Sequence, residues 1–305
     1  MKQVFRQYGS VVVLLACILA LSVGFTLLMG NLTLVPCRCA TTPVLATTYP
    51  IYVAAQRVVG QNSDIITVTR LDGSASGCLH DYQLSPSDRR AVQEAHLILM
   101  NGAGAETFLD GIVEEEKCVD TSAGLDLLCV EHDHHHGEEE HHHEEYNEHL
   151  WLSPTRYIEQ VGAVRDALCA IDPEMSHVYV ANAADYIIEI LAIQQELETL
   201  KATLSGRPCV LFHESMSYLA ADLGLDVKLT LSVEGESGLS AADLKQVEAL
   251  AAENPDLLLF YDTQYALRYE GVAGTPVTIR TAVQEDWLTA MGENVETLKK
   301  VVAEQ

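Results

Sequence analysis

Positive charge is scarce. In 305 residues, 18 lysines and arginines stand against 44 acids, a net charge of −26 with histidine neutral. Binding nucleic acid requires a basic face to neutralise phosphate, so this balance excludes a nucleic-acid partner. The common catalytic signatures are missing as well. There is no P-loop, no Gly-x-Gly-x-x-Gly behind a strand, and no Ser-His-Asp arrangement. His213-Glu214-Ser-Met-Ser and His143-Glu144-Glu-Tyr-Asn each lack the second histidine of the zinc-protease pattern. An enzyme is not expected.

Two stretches lack something more local. Val11 to Met29 holds 19 residues without one charge, behind Lys2 and Arg6. As a helix this run would be about 28 Å long, near the thickness of a bilayer core. It reads as a signal or membrane anchor within residues 1–30, with basic residues on the cytoplasmic side and the rest of the chain outside. A lipoprotein reading competes, because Leu14-Leu15-Ala16-Cys17 resembles a lipobox, though only six apolar residues precede its cysteine. Residues 31–42 form a linker. Beyond the membrane, cysteines tend to oxidise, and the seven after Cys17 leave at least one unpaired within the chain.

His132 to His143 has no apolar residue, so it cannot bury a core and reads as a loop spanning 132–145. What it does hold is seven histidines: His132, His134, His135, His136, His141, His142 and His143, mixed with acids. Imidazole and carboxylate are the ligands that zinc prefers. The run therefore reads as an auxiliary metal collector.

The rest alternates between strand and helix, which implies parallel sheets flanked by helices. Strands are expected at 43–48, 65–71, 96–100 and 125–130, with helices at 51–59, 89–94 and 105–115. A helix at 154–170 leads to a much longer one ending at Leu204. Its apolar positions are taken as Val180, Ala184, Ile187, Leu191, Leu197, Leu200 and Leu204. The opening pattern then returns, since Pro43-VLATTYPIYVAAQRVVG and Pro208-CVLFHESMSYLAADLG share strand, sharp turn, helix and glycine stop. Strands at 226–232, 256–261 and 276–280 and helices at 241–252 and 286–302 complete the pattern. The expected fold is thus α/β, with two lobes, each a small parallel sheet flanked by helices, joined by one long helix. The lobes occupy 43–170 and 206–305, and 171–205 connects them.

In such sheets ligands bind beyond the carboxyl ends of strands. His80 follows the second strand, His149 the fourth, and His213 the first strand of the second lobe. Together they would supply three neutral imidazoles to one metal ion, with a fourth place for water or a carboxylate.

Six segments carry a resemblance. They are Ala46-Thr-Thr-Tyr-Pro50, His80-Asp-Tyr-Gln-Leu-Ser-Pro-Ser-Asp88, Asn101-Gly102, His149-Leu-Trp-Leu-Ser-Pro154, Phe212-His213-Glu-Ser-Met-Ser-Tyr-Leu and Trp287-Leu-Thr-Ala-Met. In this order they resemble the zinc- and manganese-binding receptors of bacterial ABC importers, the cluster A-I or ZnuA-like solute-binding proteins. The resemblance implies two lobes on a long helix, with His80, His149 and His213 as ligands in the cleft and the histidine loop near its mouth. It also implies an ABC permease as partner and a monomeric receptor outside the bacterial membrane. One departure stands out: the family's aspartate after the last strand is Thr281 here. Asp262, Glu214 and Asp286 are the carboxylates open as a fourth ligand, although water or no fourth ligand is the first expectation. Histidine at 213 favours zinc over manganese, since nitrogen-rich sites suit zinc. A stand-alone zinc buffer or metallochaperone, and a zinc hydrolase, are the other readings.

Overall fold

The computed structural model describes residues 19–20, 41–61, 64–71, 82–130, 145–231, 239–263, 271–282 and 286–304. The expected membrane segment lies almost wholly outside them, as do His80 and the loop histidines His132, His134, His135, His136, His141, His142 and His143. By contacts the chain divides at Thr42, and the unit Thr42–Gln305 is described here.

Its first sheet has the order β2-β1-β3-β4, from β1 (Thr42–Ala46), β2 (Ile66–Arg70), β3 (Leu97–Met100) and β4 (Cys118–Asp120). The second has the order β6-β5-β7-β8, from β5 (Pro208–Leu211), β6 (Asp226–Thr230), β7 (Leu258–Asp262) and β8 (Thr275–Ile279). Every pairing is parallel. Central strands of such sheets are covered on both faces and so are apolar throughout. Val44-Leu45-Ala46 and Cys209-Val210-Leu211 are accordingly buried without alternation.

Seven helices are described: α1 (Tyr49–Val59), α2 (Pro86–Glu94), α3 (Pro154–Ile171), α4 (Ser176–Leu204), α5 (Ser217–Asp222), α6 (Ala241–Glu253) and α7 (Trp287–Ala303). Local chemistry starts and stops them. Ser85 and Asp88 form a reciprocal capping box on α2, in which Asp88 Oδ2 also accepts from Tyr82 Oη. Gly60 ends α1 at φ 60°, where a Cβ would lie 2.5 Å from Asn182 Nδ2, the amide that caps Val58 O.

Helix α4, at 29 residues, is about 44 Å long and links the two sheets. Its buried side differs from expectation in the first half. Tyr179, Ala183, Tyr186 and Ile190 are buried, whereas Val180 and Leu191 are 50% and 45% exposed and Ala184 is exposed. The phase sits one residue earlier because tyrosines fill the inner face, with hydroxyls satisfied by Asp172 and Tyr157. Leu197, Leu200 and Leu204 are buried as expected.

Two further expectations fail. Residues 105–115 form no α-helix, only short 3₁₀ turns at Thr107–Leu109 and Glu115–Lys117. Residues 125–130 form no strand, only a bridge from Cys129 to Tyr146; the fourth strand is Cys118–Asp120. Leu125, Leu127 and Leu128 instead pack with Tyr218 of the second lobe, whose hydroxyl accepts from Leu128 N at 3.1 Å. The four described cysteines, Cys118, Cys129, Cys169 and Cys209, are free thiols. One apolar core runs through both sheets, from Val44 and Leu99 through Tyr157 and Tyr186 to Leu211, Phe260 and Trp287.

Candidate metal site

Strand order reverses between β1 and β3, and between β5 and β7, and it is beyond the C-terminal ends of such strands that open α/β sheets bind ligands. His213 follows β5 by two residues, in extended conformation (φ −154°, ψ 144°), at the start of the turn Glu214–Met216. Ser215 N–H donates to its Nδ1 at 3.1 Å. His149 starts the turn Leu150–Leu152 and is 3% exposed.

The two rings come from different lobes and meet edge to face, with centroids 5.6 Å apart and planes at 84°. That spacing fits a shared ion. With a metal–nitrogen bond of 2.0–2.1 Å each centroid lies about 3.2 Å from the ion, so two ligands at the tetrahedral angle have centroids about 5.2 Å apart.

Asn147 Oδ1 faces both the backbone N–H and Nδ1 of His149, each at 3.0 Å, while its Nδ2 donates to Glu214 O at 2.7 Å. Tyr218 Oη donates to Asn147 O at 2.8 Å. On the other flank Trp151, 5.2 Å from His149 by ring centroids, donates through Nε1 to Thr281 O at 2.8 Å. Trp287 Nε1 donates to Trp151 O at 2.8 Å and stacks on Tyr157 at 4.6 Å.

The three carboxylates fare differently. Asp286 is bound to Arg57 of α1 at 2.9 Å, with Arg57 also lying over Tyr186. Glu214 is fixed through its backbone carbonyl by Asn147. Asp262 ends β7 and is 7% exposed. The register Leu211↔Phe260 places positions 213 and 262, two residues on, on one face of adjacent strands. Thr281 binds Asp262 Oδ2 through its backbone N–H (3.2 Å) and its hydroxyl. A carboxylate thus stands at the end of β7, the strand next to β8, and is held by Thr281.

Beneath His149 lies a buried polar cluster that sequence reading did not single out. Glu106, 3% exposed, accepts from Thr47 Oγ1 (2.6 Å), Asn101 N (2.7 Å) and Gly102 N (3.1 Å). Asn101 Nδ2 in turn holds Glu148 O at 2.9 Å. Burial pushes the Glu106 carboxyl up to about 7, against the pull of its three donors and with a small push from Glu148. A carboxyl raised above its ordinary 4.5 contributes stability that is complete below that value and lost as pH rises through 7. In zinc-free urea titrations, the stability advantage of wild type over Glu106→Gln should therefore shrink between pH 5 and 7, by at most about 1.4 kcal/mol per unit, then level off. Parallel curves across that range would remove the assignment.

Asn147 was also missed. Its signal was the spacing Asn147-Glu148-His149, because asparagine side chains commonly bind the backbone two residues on. Among the described residues no group of three metal-ligating side chains stands together; His80 is outside them.

Two parallel α/β lobes on one long helix, with His149 and His213 from different lobes meeting edge to face, define the architecture. Residues 44–301 match the family model described as zinc-uptake complex component A, periplasmic, and the chain belongs to that family. It is 26% identical over 285 residues to the zinc-binding lipoprotein AdcA of Streptococcus pneumoniae serotype 4, covering 86% of this chain and 56% of the relative. The chain thus spans about half the length of the streptococcal relatives it matches. It is 23% identical over 248 residues to the high-affinity zinc uptake system protein ZnuA of Bacillus subtilis, covering 79% and 76%. Among solved structures, the Zn(II)-bound ZnuA-like domain of Streptococcus pneumoniae AdcA superposes with a TM-score of 0.70 at 21% identity, covering 86% of this chain and 99% of that one. That likeness shows the fold.

Proposed function

We propose that this chain is an extracytoplasmic receptor that binds Zn²⁺ between its lobes and delivers it to an ABC permease. The observation that carries the reading is the pair His149 and His213, brought from separate lobes to a spacing that a tetrahedral ion fits. His80 completes the set as third imidazole, and the fourth place goes to water or to one of the carboxylates Asp262, Glu214 and Asp286. Manganese is the alternative cargo, but imidazole donors favour zinc. The histidines of 132–145 act as an auxiliary collector, aided by the negative field of the chain. The N-terminal segment 1–30 attaches or exports the receptor, residues 31–42 link it, and 43–170, 171–205 and 206–305 serve as lobe, strut and lobe. The receptor works as a monomer without catalysis. The relatives named for zinc binding and zinc uptake support the cargo.

An ion tying lobe to lobe binds the folded state and not the unfolded one. At a hundredfold excess over Kd, zinc should raise unfolding free energy by about 2.7 kcal/mol. The gain should fade below about pH 6, where imidazoles in general protonate and cease to be ligands. A melting temperature indifferent to zinc at a pH of about 7.5 would sink the inter-lobe site.

A further inference from the structure

A histidine can ligate zinc through Nε2 only when that nitrogen carries a lone pair, which in the neutral ring requires the proton on Nδ1. Which nitrogen holds it depends on the hydrogen bond made by the other. For His149 the surroundings decide the matter through Asn147, whose two ends are fixed by partners of unambiguous chemistry.

The backbone N–H of His149 can only donate, so the atom 3.0 Å from it is the amide oxygen of Asn147. The carbonyl of Glu214 can only accept, so the atom 2.7 Å from it is the amide nitrogen. The amide therefore cannot be turned over without losing both bonds. Its oxygen then also faces His149 Nδ1 at 3.0 Å, and a bond between them exists only if Nδ1 carries the proton. Nε2 is left with its lone pair. Asn147 is 3% exposed, so water does not readily replace it as acceptor.

We infer that Asn147 is the positioning residue of the site: it holds His149 in the Nδ1–H tautomer and orients Nε2 toward the ion. The same side chain also donates to Glu214 O, next to His213, which fixes which way the amide faces. His213 makes an instructive contrast. Its Nδ1 accepts from Ser215 N–H, so its neutral ring carries the proton on Nε2 in this state. The two neutral rings thus hold their protons on opposite nitrogens.

The inference rests on the receptor reading above, and the experiment separates the two. The zinc-free full chain, labelled with ¹⁵N-histidine, is examined by long-range ¹H–¹⁵N NMR at a pH of about 8, where the rings are neutral. Zinc affinity is measured by dye competition for wild type, Asn147→Ala, Asn147→Asp and His149→Ala. The expected wild-type spectrum shows His149 protonated at Nδ1. Asn147→Ala should lose that signature and bind zinc about 10–100-fold more weakly. Asn147→Asp keeps an acceptor toward His149 but cannot donate to Glu214 O. It should keep the tautomer and stay within about threefold of wild type, well short of that loss. A wild-type His149 protonated at Nε2 would overturn the inference even if Asn147→Ala does not fold. So would an Asn147→Asp loss as large as the alanine loss, since the tie to Glu214 would then be what matters. If His149→Ala binds zinc as tightly as wild type, it is the receptor site that falls.

Discussion

Replacing His213 with alanine is expected to weaken tight zinc binding by more than about a hundredfold, whereas deleting residues 132–145 leaves it intact. Zinc sites of four protein ligands are worth roughly 10–16 kcal/mol, so one ligand carries about 3 kcal/mol. His213 is placed by β5 and the turn behind it, and meets His149 without reorganising a long segment. The seven loop histidines are more numerous, but gathering them around an ion costs ~1–2 kcal/mol for each backbone residue fixed. Number loses to placement. Dye-competition titration of both variants would show the deletion removing only weak, extra zinc. Should the deletion abolish tight binding while His213→Ala keeps it, the two sites have been assigned the wrong way round.

The largest effect on stability is expected from Trp287→Ala, about 3–5 kcal/mol. The ring is fully buried, stacks on Tyr157 at an interplanar angle of 19°, and donates to Trp151 O. Its removal leaves a large void in the core shared by both sheets. With folding worth about 5–15 kcal/mol in total, the variant keeps only a part of it. Zinc affinity should fall as well, because Trp151 sits beside His149 and reaches Thr281 across the lobes. Urea denaturation without zinc measures the first effect. A loss under about 1 kcal/mol would show that the core closes over the gap.

The alternation of strand and helix was readable because parallel central strands are apolar throughout and their helices have clear starts. Ser85-Pro-Ser-Asp88 announces a helix by its capping box, and the structure has it. His213 was readable two residues past β5, but His149 directly follows no strand among the described residues, because residues 125–130 make only a bridge to Tyr146 and the histidine instead opens the turn Leu150–Leu152. Residues 101–117 were not readable. Here Gly102, Ala103, Gly104 and Gly111 all take positive φ, and a Cβ on Gly102 would lie 1.8 Å from Asp120 Oδ1. The chain folds tightly so that two backbone N–H groups reach Glu106, a tertiary demand that periodicity does not carry. Strand β4 has three residues, too few to display a period. Leu125 to Leu128 looked like a strand because they are apolar, but their burial is against Tyr218 of the far lobe. Asp262 was visible only as one acid among several; its place beside position 213 comes from the register of β7 with β5, which the sequence does not show.

The two sheets repeat each other down to single hydrogen bonds. Thr47 N bonds to Leu99 O as Phe212 N does to Phe260 O, and Leu71 N to Ala46 O as Leu231 N does to Leu211 O. In this duplicate plan Thr48 and His213 share one address, and Asn101 and Asp262 share another. The copies hold different tenants: a hydroxyl and an amide in one half, an imidazole and a carboxylate in the other. The pseudo-symmetry of the scaffold is thus broken at the strand ends. One half presents an imidazole and a carboxylate at its sheet ends, while in the other Asn101, at the address matching Asp262, braces the segment that carries His149.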